Sequence, residues 1–297
     1  MTQKDIVTEI VKDGPKGIRE IAEATGILEP NVRRILGMGA KEGTFERVEK
    51  GVYVLSKDGQ DIAVIHTANA IKKLPELAAN GFKADMVFLD PPYTTPAVKG
   101  GNRPQRFKII TPEEFGQLMK AVADIVRTDE SPVYYICSRA PSGLSEMGKY
   151  TERIHEAGFN LVAEGSYKKL QADGVSPALN PQGRPTTPEA VMLYTKSGRF
   201  DEKELPRELD FTLIRPPVTG KGGRQTQKPG VMLKSLIMQG TSRGDTVLDP
   251  FAGTGVTAVE AIKAERRVVA VEIEEAVVRN FIIPRLQDSA GIFQLMS

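Results

Sequence analysis

The period of the hydrophobic positions changes along this chain, and each change marks an element. Over the first 41 residues apolar side chains recur three times at helical spacing. Ile6, Ile10 and Val11 form the stripe of a first helix, which Thr2 can cap with Asp5 in the third position. After Gly14-Pro15, Ile18, Ile21 and Ala22 mark a second short helix, stopped by Gly26. Pro30 suits the first turn of a third helix, with Val32, Ile35 and Leu36 inward and Asn31, Arg33 and Arg34 outward. The pattern then becomes β-prone. Thr44 to Val48 and Val52 to Leu55 predict two strands joined by a turn at Glu49-Lys50-Gly51. Polar Ser56 to Gln60 reads as a linker, so residues 1–58 are expected to form one small domain and 59–297 another.

Beyond the linker, short apolar runs alternate with helical stripes. Strands are predicted at 61–65, 86–89, 133–137, 159–167, 190–195, 246–248 and 268–271. Helices are predicted at 69–79, from Thr111 to near Thr128, at 144–157, from near Lys228-Pro229, and from a glycine turn to Lys263. Thr111-Pro112-Glu113-Glu114 is a capping box with proline at the first helical position. Met86-Val87-Phe88-Leu89 has no polar alternation, which suits a parallel strand covered on both faces. Strands alternating with helices predict an α/β architecture with a mainly parallel central sheet.

Helix, helix, turn, helix and hairpin in the first domain resemble a winged helix-turn-helix, similar to those of many transcription regulators. The third helix of such a unit enters the major groove, which makes Asn31, Arg33 and Arg34 the candidate DNA contacts. Such units also serve as protein-contact modules, and this one is not net basic. The whole chain of 297 residues carries a net charge of only +2, so clusters matter more than the total. Two stretches lack acidic residues. One, 94–110, holds Lys99, Arg103, Arg106 and Lys108; the other, 211–244, includes Lys221 and Arg224 in a Pro/Gly loop. Either can follow a phosphate backbone. One cysteine, Cys137, excludes internal disulfides, and with two histidines no metal site is expected. No leader pattern and no membrane-length apolar run is present, so a cytoplasmic protein is expected.

The candidate chemistry lies at two strand ends. Leu89 is followed by Asp90-Pro91-Pro92-Tyr93, a carboxylate, a rigid turn and a ring suited to a flat base bearing an amine. Leu248 is followed by Asp249-Pro250-Phe251-Ala252-Gly253-Thr254-Gly255, then a helix and a strand ending in Glu272. That layout binds a nucleoside: glycines let the backbone approach, and the acid accepts ribose hydroxyls. A P-loop is disfavoured because no Gly-Lys-Ser/Thr follows, and the dinucleotide fingerprint is incomplete.

These two motifs, with Thr226-Gln227-Lys228-Pro229 upstream of the second, resemble the signatures of the S-adenosylmethionine-dependent DNA amino-methyltransferases. The catalytic motif precedes the glycine turn, which is similar to the permuted (β) group. The resemblance covers about residues 61–286 and implies a Rossmann-like methyltransferase fold. It implies that Asp90 and the Pro91 carbonyl accept hydrogen bonds from the target amine while Tyr93 stacks on a base flipped out of double-stranded DNA. It further implies a donor pocket shaped by Pro229, Asp249, Pro250, Phe251, Gly253, Thr254 and Gly255, with Glu272 on the ribose and Lys228 at the donor's carboxylate end. The leading aspartate resembles the adenine-N6 enzymes, where serine would suggest cytosine N4. N4-cytosine is therefore the second reading, and a winged-helix regulator with an inactive methyltransferase domain is the reading from another class. Thr67-Ala68-Asn69 departs from the family's Gly-Asp, whose acid contacts the donor's adenine. Oligomeric state is left open, a homodimer included.

Overall fold

The computed structural model of the protein describes residues 3–12, 16–41, 45–49, 52–55, 62–92, 110–138, 144–179, 185–214, 227–288 and 292–296. The amino-terminal unit comprises α1 (Gln3–Lys12), β1 (Lys16–Gly17), α2 (Ile18–Thr25), α3 (Glu29–Lys41), β2 (Phe45–Glu49) and β3 (Val52–Leu55). Its strands form an antiparallel sheet ordered β1-β3-β2. Val7, Val11, Ile18, Ile21, Ile27, Val32, Ile35 and Leu36 make its core. The buried line of α1 is therefore Val7 and Val11, with the predicted Ile6 and Ile10 only partly buried beside it. Gly26 closes α2 at φ 70°, its N–H on the Ala22 carbonyl at 2.9 Å.

The larger unit runs β4 (Ile62–Thr67), α4 (Ala70–Ala79), β5 (Met86–Leu89), α5 (Pro112–Ile125), β6 (Val133–Ser138), α6 (Leu144–Glu156), β7 (Asn160–Leu170), β8 (Glu189–Thr195) and β9 (Phe211–Ile214). It continues with α7 (Gly230–Gly240), β10 (Thr246–Asp249), α8 (Val256–Lys263), β11 (Arg267–Glu272), α9 (Glu275–Val277), a π-turn (Val278–Ile282), α10 (Ile283–Asp288) and β12 (Ile292–Met296). The strands form one sheet ordered β12-β4-β11-β10-β5-β6-β8-β7-β9. Every neighbouring pair is parallel except the two that β8 makes with β6 and β7.

The apolar runs predicted for these strands arise because helices cover both faces. Val87 and Leu89 of β5 point into the core beneath α4, α5 and α6, while Met86 and Phe88 point into the core beneath α7 and α8. Burying each such side chain stabilises by roughly 1.5–3 kcal/mol. The Thr111 capping box is formed: Thr111 Oγ1 accepts from Glu114 N–H at 3.2 Å, and Glu114 accepts from Thr111 N–H at 3.0 Å. Asn69 caps α4 by accepting from Ile71 N–H at 3.0 Å.

Chain direction places the site. From β10 the chain moves to β11 on one side, and from β5 to β6 on the other, so the order reverses between β10 and β5. Open α/β sheets bind ligands outside the carboxyl ends of strands at such a point. Among the described residues, no helix is long and apolar enough to cross a membrane.

Candidate active site

Asp90, Pro91 and Pro92 leave the carboxyl end of β5, and Asp249 ends β10 beside them. The chain departs at Pro92 and is described again at Ile110, whose N–H reaches back to the Pro92 carbonyl at 3.4 Å. Tyr150 holds that return by donating its hydroxyl to the Ile110 carbonyl. Among the described residues, none donates to the carbonyl of Pro91.

Asp90 belongs to a chain of four charges. Lys228 Nζ donates to Oδ1 and Oδ2 of Asp90 at 2.8 and 2.7 Å. The same ammonium lies 3.1 Å from Glu189 Oε2, and Lys169 donates to Glu189 Oε1. The side chain of Lys228 is 7% exposed and that of Glu189 11%, so this network is largely removed from water. β8 runs against the sheet, so its first residue, Glu189, stands at the edge where β5 and β6 end. Burial pushes the Asp90 carboxyl above its ordinary range; Lys228 pulls it back and Glu189 adds to the push. Glu189 also feels burial, but Lys228 and Lys169 outweigh it and hold the group below its ordinary value.

The glycine turn is fixed from several sides. Asp249 accepts from Phe251 N–H at 2.9 Å and from Thr257; burial pushes its carboxyl up to about 7, and Asp90 and Glu272 add to that. Gly253 and Gly255 hold φ of 52° and 78°, where L side chains are strained. Among the described residues, a Cβ on Gly253 would meet only the Phe251 carbonyl oxygen, at 3.9 Å, so they leave that side of the turn open. Glu272, ending β11, accepts from Gly253 N–H at 2.8 Å and Glu274 N–H at 2.9 Å. Both oxygens are thereby oriented at the end of β11. Arg285 of α10 clasps the turn: it donates to the Thr254 carbonyl and hydroxyl at 3.1 Å each and to Gln227 Oε1 at 2.8 Å.

Of the residues singled out from sequence, Asp90, Pro91, Lys228, Pro229 as N-cap of α7, and the 249–255 turn with Glu272 gather at the carboxyl ends of β5, β10 and β11. Lys228, implied at a donor carboxylate, has its Nζ on Asp90 and Glu189. Asn31, Arg33 and Arg34 lie on α3, the arginines exposed and Asn31 half-buried. Tyr93, Lys99, Arg103, Arg106, Lys108, Lys221 and Arg224 lie outside the described residues. Glu189, Lys169 and Arg285 were not singled out. Glu189 alone carried a cue, an acid heading the apolar run Ala190–Thr195.

A doubly wound sheet with a carboxylate-Pro-Pro turn and a glycine turn on the two sides of its switch point defines a Rossmann-like methyltransferase fold. A putative DNA modification methylase from Thermus thermophilus, solved in complex with S-adenosyl-L-methionine, shares this fold. It superimposes with a TM-score of 0.57 at 17% identity, covering 79% of this chain and 98% of that one. The protein belongs to the DNA methylase family of the N6/N4 type, which matches residues 45–283. The Type II methyltransferase M2.LlaDCHI of Lactococcus lactis subsp. cremoris is 25% identical over 235 residues, 72% of this chain and 85% of its own length. The DNA adenine methyltransferase YhdJ of Escherichia coli K12 is 32% identical over 81 residues; that match spans 27% of this chain and only 28% of the relative.

Proposed function

We propose that the protein transfers a methyl group from S-adenosylmethionine to the exocyclic N6 amine of adenine in double-stranded DNA, on a base flipped out of the helix. The observation that carries this reading is the placement of Asp90-Pro91-Pro92 and the Asp249–Gly255 turn side by side at the switch point. The residues here fit the donor: the side of Gly253 left open by the described residues, the oriented Glu272 carboxylate and the closely approachable backbone suit a nucleoside, with Arg285 bound up in the turn rather than offered to phosphates. The donor, when bound, supplies an electrophilic methyl on a sulfonium.

The protein's part is to prepare the nitrogen. An exocyclic amine delocalises its lone pair into the ring and is a poor nucleophile. Asp90 and the Pro91 carbonyl accept its two hydrogens and draw it toward tetrahedral geometry, which localises the pair. A bound donor would give its methyl to that pair and leave as a neutral thioether, and Asp90 would take the proton the nitrogen then sheds and pass it to solvent. Oriented acceptors of this kind contribute about 10²–10³ in rate, and holding the two reactants in contact contributes more.

The leading Asp90 favours adenine; N4 of cytosine is the second reading, because its amine poses the same electronic problem and the family spans both. Residues 1–58, as a winged helix-turn-helix, are proposed to contact DNA through Asn31, Arg33 and Arg34 on α3. Lys99, Arg103, Arg106, Lys108, Lys221 and Arg224 are proposed as phosphate contacts. Base-modification sequencing of unmethylated plasmid DNA after incubation with protein and donor tests the reading. N6-methyladenine at a defined site supports it, N4-methylcytosine selects the second reading, and unmodified DNA overturns both.

A further inference from the structure

We infer that Glu189 and Lys228 are positioning residues that set the direction and the charge of the Asp90 carboxylate. The inference rests on the methylation reading above and adds two residues to its machinery. The family resemblance implied a donor contact for Lys228 and no role for Glu189.

The geometry leaves Lys228 little freedom. Its ammonium donates to both oxygens of Asp90 at 2.7–2.8 Å and lies 3.1 Å from Glu189. Two contacts to one carboxylate fix its plane, because rotating it breaks one of them. Each Asp90 oxygen keeps a second lone pair for the amine. Glu189 anchors the ammonium from behind and is itself held by Lys169. These four residues come from four separate segments: the end of β5, the approach to α7, the start of β8 and the end of β7.

The charges also have a job. A carboxylate at this depth is driven toward protonation, and a protonated Asp90 offers one acceptor fewer to the amine. Among the described residues, the charged groups acting on Asp90 are Lys228, Glu189 and Lys169. Lys228 and Lys169 favour its ionised form; Glu189 opposes it, while the neighbouring Asp249 is itself raised by Asp90. Removing Lys228 and removing the charge of Glu189 must therefore shift Asp90 in opposite directions. A merely structural pair gives no such opposition.

The test compares wild type, Lys228→Met, Lys228→Arg and Glu189→Gln. Three readouts are used: the pH–rate profile of methyl transfer, S-adenosylmethionine affinity by calorimetry, and the titration of the Asp90 carboxyl carbon by ¹³C NMR, assigned with Asp90→Asn. The acid limb and the carboxyl titration should move up by about one to three pH units in Lys228→Met, and down by roughly one in Glu189→Gln. Lys228→Arg should restore most of the wild-type profile, and donor affinity should change less than about threefold in Glu189→Gln. Shifts of the same sign in both variants overturn the inference. So does a tenfold loss of donor affinity in Lys228→Met with the acid limb unmoved, which returns Lys228 to the donor. A wild type that transfers no methyl while its Asp90 titration obeys the opposed shifts leaves the charge chain standing and sinks the methylation reading.

Discussion

Gly253 and Gly255 sit two residues apart in one turn, yet the structure predicts different consequences for replacing each with alanine. At Gly255 the φ of 78° costs an L residue about 1–2 kcal/mol. A Cβ there would also lie 3.1 Å from Cγ1 and Cγ2 of Ile282, which is fully buried in the π-turn after β11. Overpacking a core of that kind adds about 1–3 kcal/mol. Gly255→Ala should thus destabilise by about 2–5 kcal/mol. At Gly253 the φ of 52° brings the conformational cost, but the nearest atom to a Cβ is 3.9 Å away. Gly253→Ala should lose only about 1–2 kcal/mol of stability. Its methyl enters the space assigned to the donor, so donor affinity should fall by an order of magnitude or more. Urea unfolding and calorimetric titration with donor measure the two quantities separately. Ile282→Ala alone should cost about 2–5 kcal/mol as a cavity. Combined with Gly255→Ala, the total should fall short of the sum by about 1–3 kcal/mol, because the new Cβ occupies the vacated space. Strict additivity, or equal stability losses at the two glycines, would refute this account of the turn.

Other expectations follow from the same contacts. Asp90→Ala should lower kcat by at least about 10²–10³-fold while donor affinity is retained; transfer at near wild-type rate contradicts the role given to Asp90. Arg285→Ala removes three charge-assisted hydrogen bonds from Thr254 and Gln227, each worth about 1.5–3 kcal/mol, and should weaken donor binding at least tenfold in calorimetry. His66 is 2% exposed, its Nδ1 lacks a hydrogen-bond partner among the described residues, and burial lowers its pKa to about 4, with Lys73 helping. Between that value and about 6.5 the unfolded chain binds the extra proton, so stability is lost as pH falls through this window, by about 3 kcal/mol. Urea unfolding of His66→Phe at pH 4.5 and pH 7 should show that loss reduced; an unchanged pH slope assigns it elsewhere. Deleting residues 1–58 should broaden or weaken the choice of DNA site, read by base-modification sequencing; unchanged choice returns that unit to a protein-contact role.

Much of this fold was legible because its signals are local. Met86–Leu89 reads as a doubly covered strand from four adjacent residues, and Thr111–Glu114 announces a helix start from four more. The two glycines of the 253–255 turn likewise mark in the sequence a place of close backbone approach, and both hold positive φ. What stayed hidden depends on distance or register. Lys228 stands 138 residues from Asp90, and nothing beside it tells which carboxylate it meets. Glu189 becomes part of the site only because β8 runs against its neighbours, a property of the sheet and not of the strand. Arg285 reaches Thr254 only after the π-turn has shifted the helical register, which the apolar spacing does not record. β1 has two residues and β9 four, too few for a period to emerge, and β12 pairs only at the sheet's edge.

The central claim is methyl transfer to the adenine N6 amine with Asp90 as acceptor. Its most direct test is incubation of wild type and Asp90→Ala with methyl-labelled S-adenosylmethionine and unmethylated duplex DNA, followed by digestion and separation of the nucleosides. Label is expected in N6-methyldeoxyadenosine from the wild type and in no nucleoside from the variant. Label absent from every nucleoside, or equal from both proteins, would contradict it.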